Sequence, residues 1–307
     1  MKAAYITKFG GPEVLTYGDL PDPAAAPGQI VVDVAAASIN AADWKVCAGE
    51  YGGGAKFPLC LGRDFSGTVR ALGADVQDLR VGDEVFGVLE GGRDGTYAER
   101  LAIGAAIVAK KPAGLSHVDA AALALTGLTA LCAIEDSLKL KAGETILIQG
   151  GAGGVASFGI QLAKHIGARV ITTASAANAA WLSEIGADQV IDYNAVDFTK
   201  AVSNCDAAFD TVGGDVAMRT FAVLKPGGRA TFIGSGAQAP KPARSDVTAL
   251  RPAVPRTRRH LERVAELLRT GAVRVPPVTL FPLAKAADAL QVSAARHLRG
   301  KLVLKVR

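Results

Sequence analysis

Paired cysteines are missing from this chain. Its 307 residues include four, Cys47, Cys60, Cys132 and Cys205, which are scattered and form no Cys-x-x-Cys pair. That excludes a disulfide framework and a cysteine-built zinc cluster, and it reads as free thiols in a reducing compartment. No secretory leader is expected either, since "MKAAYITKFG" lacks the apolar run and cleavage site of a signal peptide. The most apolar long stretch, "AAALALTGLTALCAI" (120–134), reads as too short for a bilayer span and is interrupted by Thr126, Gly127 and Thr129. These absences predict a cytoplasmic protein with no membrane partner. A strong charge excess is lacking too. With 34 Lys and Arg against 29 Asp and Glu, the formal charge is +5, which makes no case for nucleic acid and mildly favours anionic ligands. The four histidines, His117, His165, His260 and His297, have no Cys or His neighbour at ligand spacing and read as surface or packing residues. There are no internal repeats.

What is present is a large apolar fraction, 50%, enough to bury a core without crosslinks, in a length that suits one large domain or two ordinary ones. Residues 1 to about 115 read as mostly β. Short apolar or alternating runs such as "QIVVDVAAASI", "FSGTVRAL" and "DEVFGVL" are separated by Gly, Pro and Asp turns, and no long helical pattern occurs before Ser116. Ser116 then reads as the N-cap of a helix. From there strands and helices alternate: "TILIQG", "GVASFGIQLAKHIG", "RVITTAS", "NAAWLSEIG", "QVIDY", "DAAFDTV", "DVAMRTFAVL", "GRATFIG". Such alternation predicts a parallel sheet with helices on both faces. Residues 236–257 read as an irregular loop, and "RRHLERVAELLRTG" as an amphipathic helix. The closing strand in "RGKLVLKV" has no crossover partner of its own, so it is expected to rejoin the N-terminal β region.

The most informative stretch is "TILIQGGAGGVASFGIQLAK" (145–164). The spacing Gly151-x-Gly153-x-x-Ala156, between an apolar strand and a helix, fits the dinucleotide fingerprint. In that fingerprint the first glycine permits a tight turn, the second lets backbone approach a pyrophosphate, and the third, small residue lets helix and strand pack. The helix N-terminus, including Gly154 and Val155, offers N–H groups and partial positive charge to phosphates. A tight turn without a ligand is the alternative. The next strand ends in "ITTAS", with Thr172, Thr173 and Ser175 where an NAD site carries an acid. An acid would repel a 2′-phosphate, whereas hydroxyls can donate to one, so NADPH is favoured. "SAANAA" has no Arg or Lys, leaving Asn178 and Tyr193 as substitutes; helix capping is an equal reading of Ser175 and Asn178.

With these features the chain resembles the medium-chain dehydrogenase/reductase superfamily, in its zinc-free quinone oxidoreductase (zeta-crystallin-like) branch. The resemblance covers nearly the whole length, through "SINAADWKVCAGEY", "LCLGRDFSGTV", "GTYAERLAI", "LTGLTALCAI", "GGAGGV", "GADQVIDY", "FDTVGG" and "RGKLVLKV". It implies an α/β protein: a Rossmann-type doubly wound parallel sheet, 118–270, plus a mainly β GroES-like catalytic domain built from 1–117 and 271–307. It implies NADPH-dependent reduction of quinones or α,β-unsaturated carbonyls, often by a homodimer. By the resemblance, Asn40 lies near nicotinamide and substrate, Tyr51 lines the cleft, and Thr129 is close to the nicotinamide. Gly153, Gly154 and Val155 form the pyrophosphate turn, Ser175 and Tyr193 lie near the 2′-phosphate, Val212 supplies a later cofactor contact, and Gly234 and Ser235 fall near the nicotinamide.

Zinc-dependent relatives need a Cys and a His-Glu pair. Here Arg63 and Asp64 stand in place of that pair and Asn40 or Ala41 in place of the cysteine, so no metal is expected. Without metal, Tyr51, Asn40 and Thr129 are the candidate donors to the developing oxyanion. Tyr51 also reads as a loop aromatic covering the core, and Asn40 as a turn former. The triple glycine of "AGEYGGGAKFP" is expected at the edge of the substrate cleft. Arg251, Arg256, Arg258, Arg259 and Arg263 could contact nucleic acid, but no aromatics interleave, so a solvated face is the expected reading. Arg258 or Arg259 could instead reach a cofactor phosphate. An enoyl-thioester reductase and a non-catalytic NADPH-binding sensor or structural protein are the alternative functions.

Overall fold

The computed structural model describes residues 1–51, 56–90, 93, 95–236 and 238–307. The expected cleft-edge glycines, Gly52, Gly53 and Gly54, lie outside the described residues. The chain forms two compact units: Met1–Leu125 with Arg256–Glu266 and Pro277–Arg307, and Thr126–Pro255 with Leu267–Pro276.

The first unit is built on a largely antiparallel seven-stranded sheet. Its strands run in the order Val278–Pro282, Lys301–Lys305, Gln29–Ser38, Asp64–Leu72, Glu84–Val88 and Val108–Lys110, with Arg100–Gly104 also pairing with Gln29–Ser38. A smaller sheet joins Thr16–Asp19, Lys2–Ile6 and Leu59–Cys60. The β-branched "QIVVDVAAAS" supplies the central strand, and Ile30, Val32, Phe65, Leu61 and Tyr97 fill the core. The closing strand pairs antiparallel with this central strand, Val303 opposite Ser38, so the C-terminus does rejoin the N-terminal β region. A seven-residue helix, Ala41–Cys47, interrupts the β region. It is too short for a periodicity argument to detect.

The second unit is a six-stranded, wholly parallel sheet. Across the sheet the order is Gln189–Asp192, Arg169–Ala174, Thr145–Gln149, Cys205–Asp210, Leu224–Phe232 and Thr248–Leu250. Numbered along the chain this is 3-2-1-4-5-6, the order of dinucleotide-binding folds, with its switch point between Thr145–Gln149 and Cys205–Asp210. The sixth strand lies inside the stretch expected to be an irregular loop. Thr248–Leu250 pairs in parallel with Arg229–Thr231, and so short an edge strand has no periodicity to read.

The units divide at Leu125, not at 117, and Arg256–Glu266 belongs to the first unit. Both differences have packing reasons. The helix His117–Leu131, capped by Ser116, whose Oγ accepts from Asp119 N–H at 3.0 Å, presses Ala121 and Ala122 onto Ala36 and Val303 of the first sheet. Arg258 donates to the carbonyls of Val108 at 2.7 Å and Ala105 at 2.6 Å, and Arg256 to that of Leu89 at 3.2 Å. The helix that begins at His117 continues through Ser137 as 21 residues, so although the apolar stretch 120–134 read as too short, the helix is long enough for a bilayer; 83% of its apolar window is buried within the protein.

Candidate active site

In the second unit the glycine turn occupies the switch point. Gly150, not Gly151, takes the left-handed conformation, φ 74°. A Cβ there would meet Thr211 Oγ1 at 2.9 Å and Val212 Cγ2 at 3.0 Å. Gly151 instead lies against the neighbouring strand, where a Cβ would be 2.3 Å from Thr172 Oγ1. Gly153 differs from both. It caps the helix Gly154–Ile166 at φ −74° and ψ 157°, and its Cβ would meet only the Gly150 oxygen, at 3.5 Å. No described contact at this position requires glycine. The helix N-terminus beside it, including Val155, leaves N–H groups without intrahelical partners. Ala156 is buried, as close helix–strand packing demands.

Of the polar groups below the turn, Thr173 was expected as a cofactor contact, whereas Gln149, Thr211 and Asp210 were not singled out in sequence. Thr173 Oγ1 donates to Gln149 Oε1 at 2.6 Å and accepts from Gly150 N–H at 3.2 Å. The Thr173 hydroxyl is buried and supports the turn, its one hydrogen spent on Gln149. Thr211 Oγ1 donates to the Gln149 carbonyl at 2.7 Å. Asp210, fully buried, accepts from Val212 and Gly213 N–H at 3.1 and 2.9 Å, while burial pushes its carboxyl up. This holds Val212, 43% exposed, beside Gly150, and Gly234 packs on the backbone of Val212 and Gly213. Ser235 Oγ donates to the Gln238 carbonyl at 3.1 Å. The only forewarning of Gln149 and Asp210 was a polar residue closing an otherwise apolar strand.

Ser175, Asn178 and Tyr193 gather at the end of Arg169–Ala174. Asn178 Nδ2 donates to Ser175 Oγ at 3.0 Å, and Tyr193 N–H to the Ala174 carbonyl at 3.3 Å, leaving the Tyr193 side chain exposed. Both Ser175 and Asn178 stand at N-cap positions, but neither makes a side-chain cap bond. Thr129, half-buried in its helix, belongs to this second unit; Asn40 and Tyr51 belong to the first.

In the first unit Asn40 caps the helix Ala41–Cys47, its N–H donating to Asp43 Oδ2 at 2.7 Å. Its amide serves a second purpose. Asn40 Nδ2 donates to Asp64 Oδ1 at 3.0 Å and, more weakly, to the Ser38 carbonyl at 3.3 Å; Oδ1 accepts from Lys301 Nζ at 2.8 Å. Asp64 is fully buried and also accepts from Ser38 Oγ at 2.8 Å and Leu125 N–H at 3.3 Å. Burial pushes the Asp64 carboxyl up and the Lys301 ammonium down, and each charge pulls the other back. The same oxygen, Asp43 Oδ2, also accepts from the Tyr97 hydroxyl at 2.6 Å. Tyr51 is 45% exposed, with Lys45 Nζ 5.7 Å from its ring centroid. It does not cover the core.

An amide, a guanidinium and a carboxylate already holding its bonds, with an ammonium on the amide oxygen, do not fit zinc, which takes neutral imidazole, thiolate or free carboxylate. Part of the arginine-rich stretch is tied to the protein's own backbone: besides Arg256 and Arg258, Arg251 donates to the Phe232 carbonyl at 2.7 Å, while Arg259 is exposed. Arg258 also pairs with Asp78, so its guanidinium serves the first unit's loops.

Residues 26–113 match the alcohol dehydrogenase GroES-like domain family, and residues 185–304 match a family described as zinc-binding dehydrogenase. The 2-methylene-furan-3-one reductase of Solanum lycopersicum is 32% identical over 317 residues, covering 99% of this chain and 79% of that protein. The quinone oxidoreductase from Coxiella burnetii superposes with a TM-score of 0.92 at 34% identity, covering 100% of this chain and 99% of that one. The Escherichia coli quinone oxidoreductase, solved in complex with NADPH, gives a TM-score of 0.91 at 27% identity over 100% of both chains. An unspoilt glycine turn at the switch point, a metal-unfit corner around Asn40 and these full-length likenesses agree: the chain belongs to the medium-chain dehydrogenase/reductase superfamily, in its quinone oxidoreductase branch.

Proposed function

We propose that this protein reduces quinones or α,β-unsaturated carbonyls with NADPH. The observation that carries the reading is Gly153, a glycine that the fold itself does not need, standing at the N-terminus of a 13-residue helix at the switch point. Gly151, Gly153, Gly154 and Val155 would hold the pyrophosphate, with Val212, Gly234 and Ser235 along the strand ends. Ser175, Asn178 and Tyr193 would receive the 2′-phosphate through hydroxyl and amide donors, with no acid at the end of Arg169–Ala174 itself. Bound there, NADPH supplies a hydride to the β-carbon of an enone or to a quinone ring. The substrate oxygen then gains negative charge and needs donors. The exposed Tyr51 hydroxyl is suited to donate, and Asn40 can exchange its long bond to the Ser38 carbonyl for one to the substrate. Thr129 is assigned to the nicotinamide side. The proton comes from Tyr51 or water.

The four free thiols suit a reducing, cytoplasmic setting, and a homodimer belongs to the same proposal. Steady-state NADPH oxidation with a panel of quinones, enones and enoyl thioesters tests the reading. Turnover with the first two classes is expected. Turnover confined to thioesters moves the function to an enoyl-thioester reductase, and tight NADPH binding without any turnover makes the protein a sensor.

A further inference from the structure

We propose that Lys301 and Asp64 are positioning residues that lock the side-chain amide of Asn40 in one orientation for the reaction. The inference rests on the role given to Asn40 above. Asn40 stands between two buried groups of opposite charge, drawn from distant parts of the chain. Lys301 opens the closing strand, Asp64 opens the strand Asp64–Leu72, and Asn40 precedes the first helix. The ammonium donates to Asn40 Oδ1 at 2.8 Å and to the Ile39 carbonyl at 2.6 Å; the carboxylate accepts from Asn40 Nδ2 at 3.0 Å.

An asparagine amide has two nearly isosteric orientations, chosen by its hydrogen-bond partners. Here the choice is forced. Turning the amide over would set its NH2 against an ammonium and its oxygen against a carboxylate, exchanging two charge-assisted bonds for two repulsions. The orientation that remains aims one Nδ2 hydrogen at Asp64 and leaves the other on the weak 3.3 Å bond to the Ser38 carbonyl, the one bond a ligand can replace. The ammonium on Oδ1 also draws electron density from the amide and strengthens that N–H as a donor. Asp43 is the other carboxylate facing Lys301, and Tyr97 donates to it, so the charges around the ammonium are fixed from the helix, both strands and the Tyr97 loop.

A lysine that merely stabilises the fold and one that orients Asn40 predict different variants. Lys301→Met leaves Asp64 buried without a cation and lowers the melting temperature. Asp64→Asn combined with Lys301→Met removes both charges, and such paired removal commonly restores stability. With an active wild type, kcat falls about tenfold or more in both variants, the loss expected for a charge-assisted bond, while NADPH affinity is unchanged. Lys301→Arg, which keeps a donor cation, recovers part of the rate. A second readout is independent of turnover: the Asn40 side-chain amide resonance of the full-length protein, assigned by its loss in Asn40→Asp. It is a single protected pair in the wild type, and in Lys301→Met it shifts and exchanges faster. Recovery of kcat together with melting temperature in the double variant overturns the proposal, as does an Asn40 resonance unchanged by Lys301→Met. A wild type without turnover removes the functional reading alone, and the resonance then decides this one.

Discussion

Replacing Gly153 with alanine separates what the fold needs from what a ligand needs. At φ −74° and ψ 157°, alanine is unstrained, and its methyl would lie 3.5 Å from the Gly150 oxygen. Reduced freedom of the unfolded chain contributes about 0.4–1 kcal/mol of stability. Loss of a glycine N-cap costs about 0.5–1 kcal/mol. The two nearly cancel, so the melting temperature stays within about 2 °C of wild type. The cofactor is affected differently. A methyl on the surface that a pyrophosphate must approach displaces at least one charge-assisted N–H bond, worth about 1.5–3 kcal/mol, and weakens NADPH about 10- to 150-fold. Fluorescence titration of NADPH and thermal unfolding read the two effects separately. Gly150→Ala is the control: its φ of 74° and contacts of 2.9 and 3.0 Å put the strain into the fold, lowering stability by about 1–2 kcal/mol as well. NADPH binding by Gly153→Ala at wild-type strength, or a stability loss as large as that of Gly150→Ala, would refute the reasoning.

Tyr51→Phe is expected to lower kcat about 10²-fold, as loss of an oxyanion donor does, with the NADPH Kd unchanged; full kcat would remove Tyr51 from the reaction. Arg258→Ala removes bonds to the Val108 and Ala105 carbonyls and to Asp78, so amide exchange across 256–266 quickens and about 1.5–3 kcal/mol of stability is lost. Its NADPH Kd stays at the wild-type value, and a tenfold rise would show that Arg258 reaches a cofactor phosphate after all. His117 stands between Ser66 Oγ at 2.8 Å and Glu84 Oε1 at 3.1 Å, and burial pushes its pKa down. Because the folded value lies below the ordinary value of about 6.5, stability is full above that pH and falls as pH drops through the folded value, by at most about 1.4 kcal/mol per unit. Unfolding midpoints between pH 7.5 and about 5 check this, and His117→Gln should flatten the slope; an equal slope would assign it to other groups.

The parallel sheet, the glycine turn and the returning C-terminal strand were legible because each leaves a local pattern: alternation, spacing, an unpaired strand. Details inside the turn were not. "GGAGG" does not reveal which glycine takes positive φ, and Thr173 looks as free as Ser175 until Gln149 is seen beneath it. The short helix Ala41–Cys47 and the strand Thr248–Leu250 are too brief for periodicity to register. The Lys301–Asn40–Asp64 cluster was invisible for a different reason. Its members lie at opposite ends of the sequence, and only the pairing of the closing strand with Gln29–Ser38 brings them together. Asn40 could be named from its motif, but the charges that govern its amide belong to tertiary structure.

The central claim is that this chain moves a hydride from NADPH to the β-carbon of a conjugated carbonyl. NADPH carrying deuterium at the transferable C4 position, incubated with the protein and an α,β-unsaturated ketone, tests it by mass and NMR analysis of the product. A saturated ketone with deuterium at the β-carbon is expected. Deuterium at the carbonyl carbon of an allylic alcohol, or unlabelled and unchanged ketone alongside quinones that are not reduced, would contradict it.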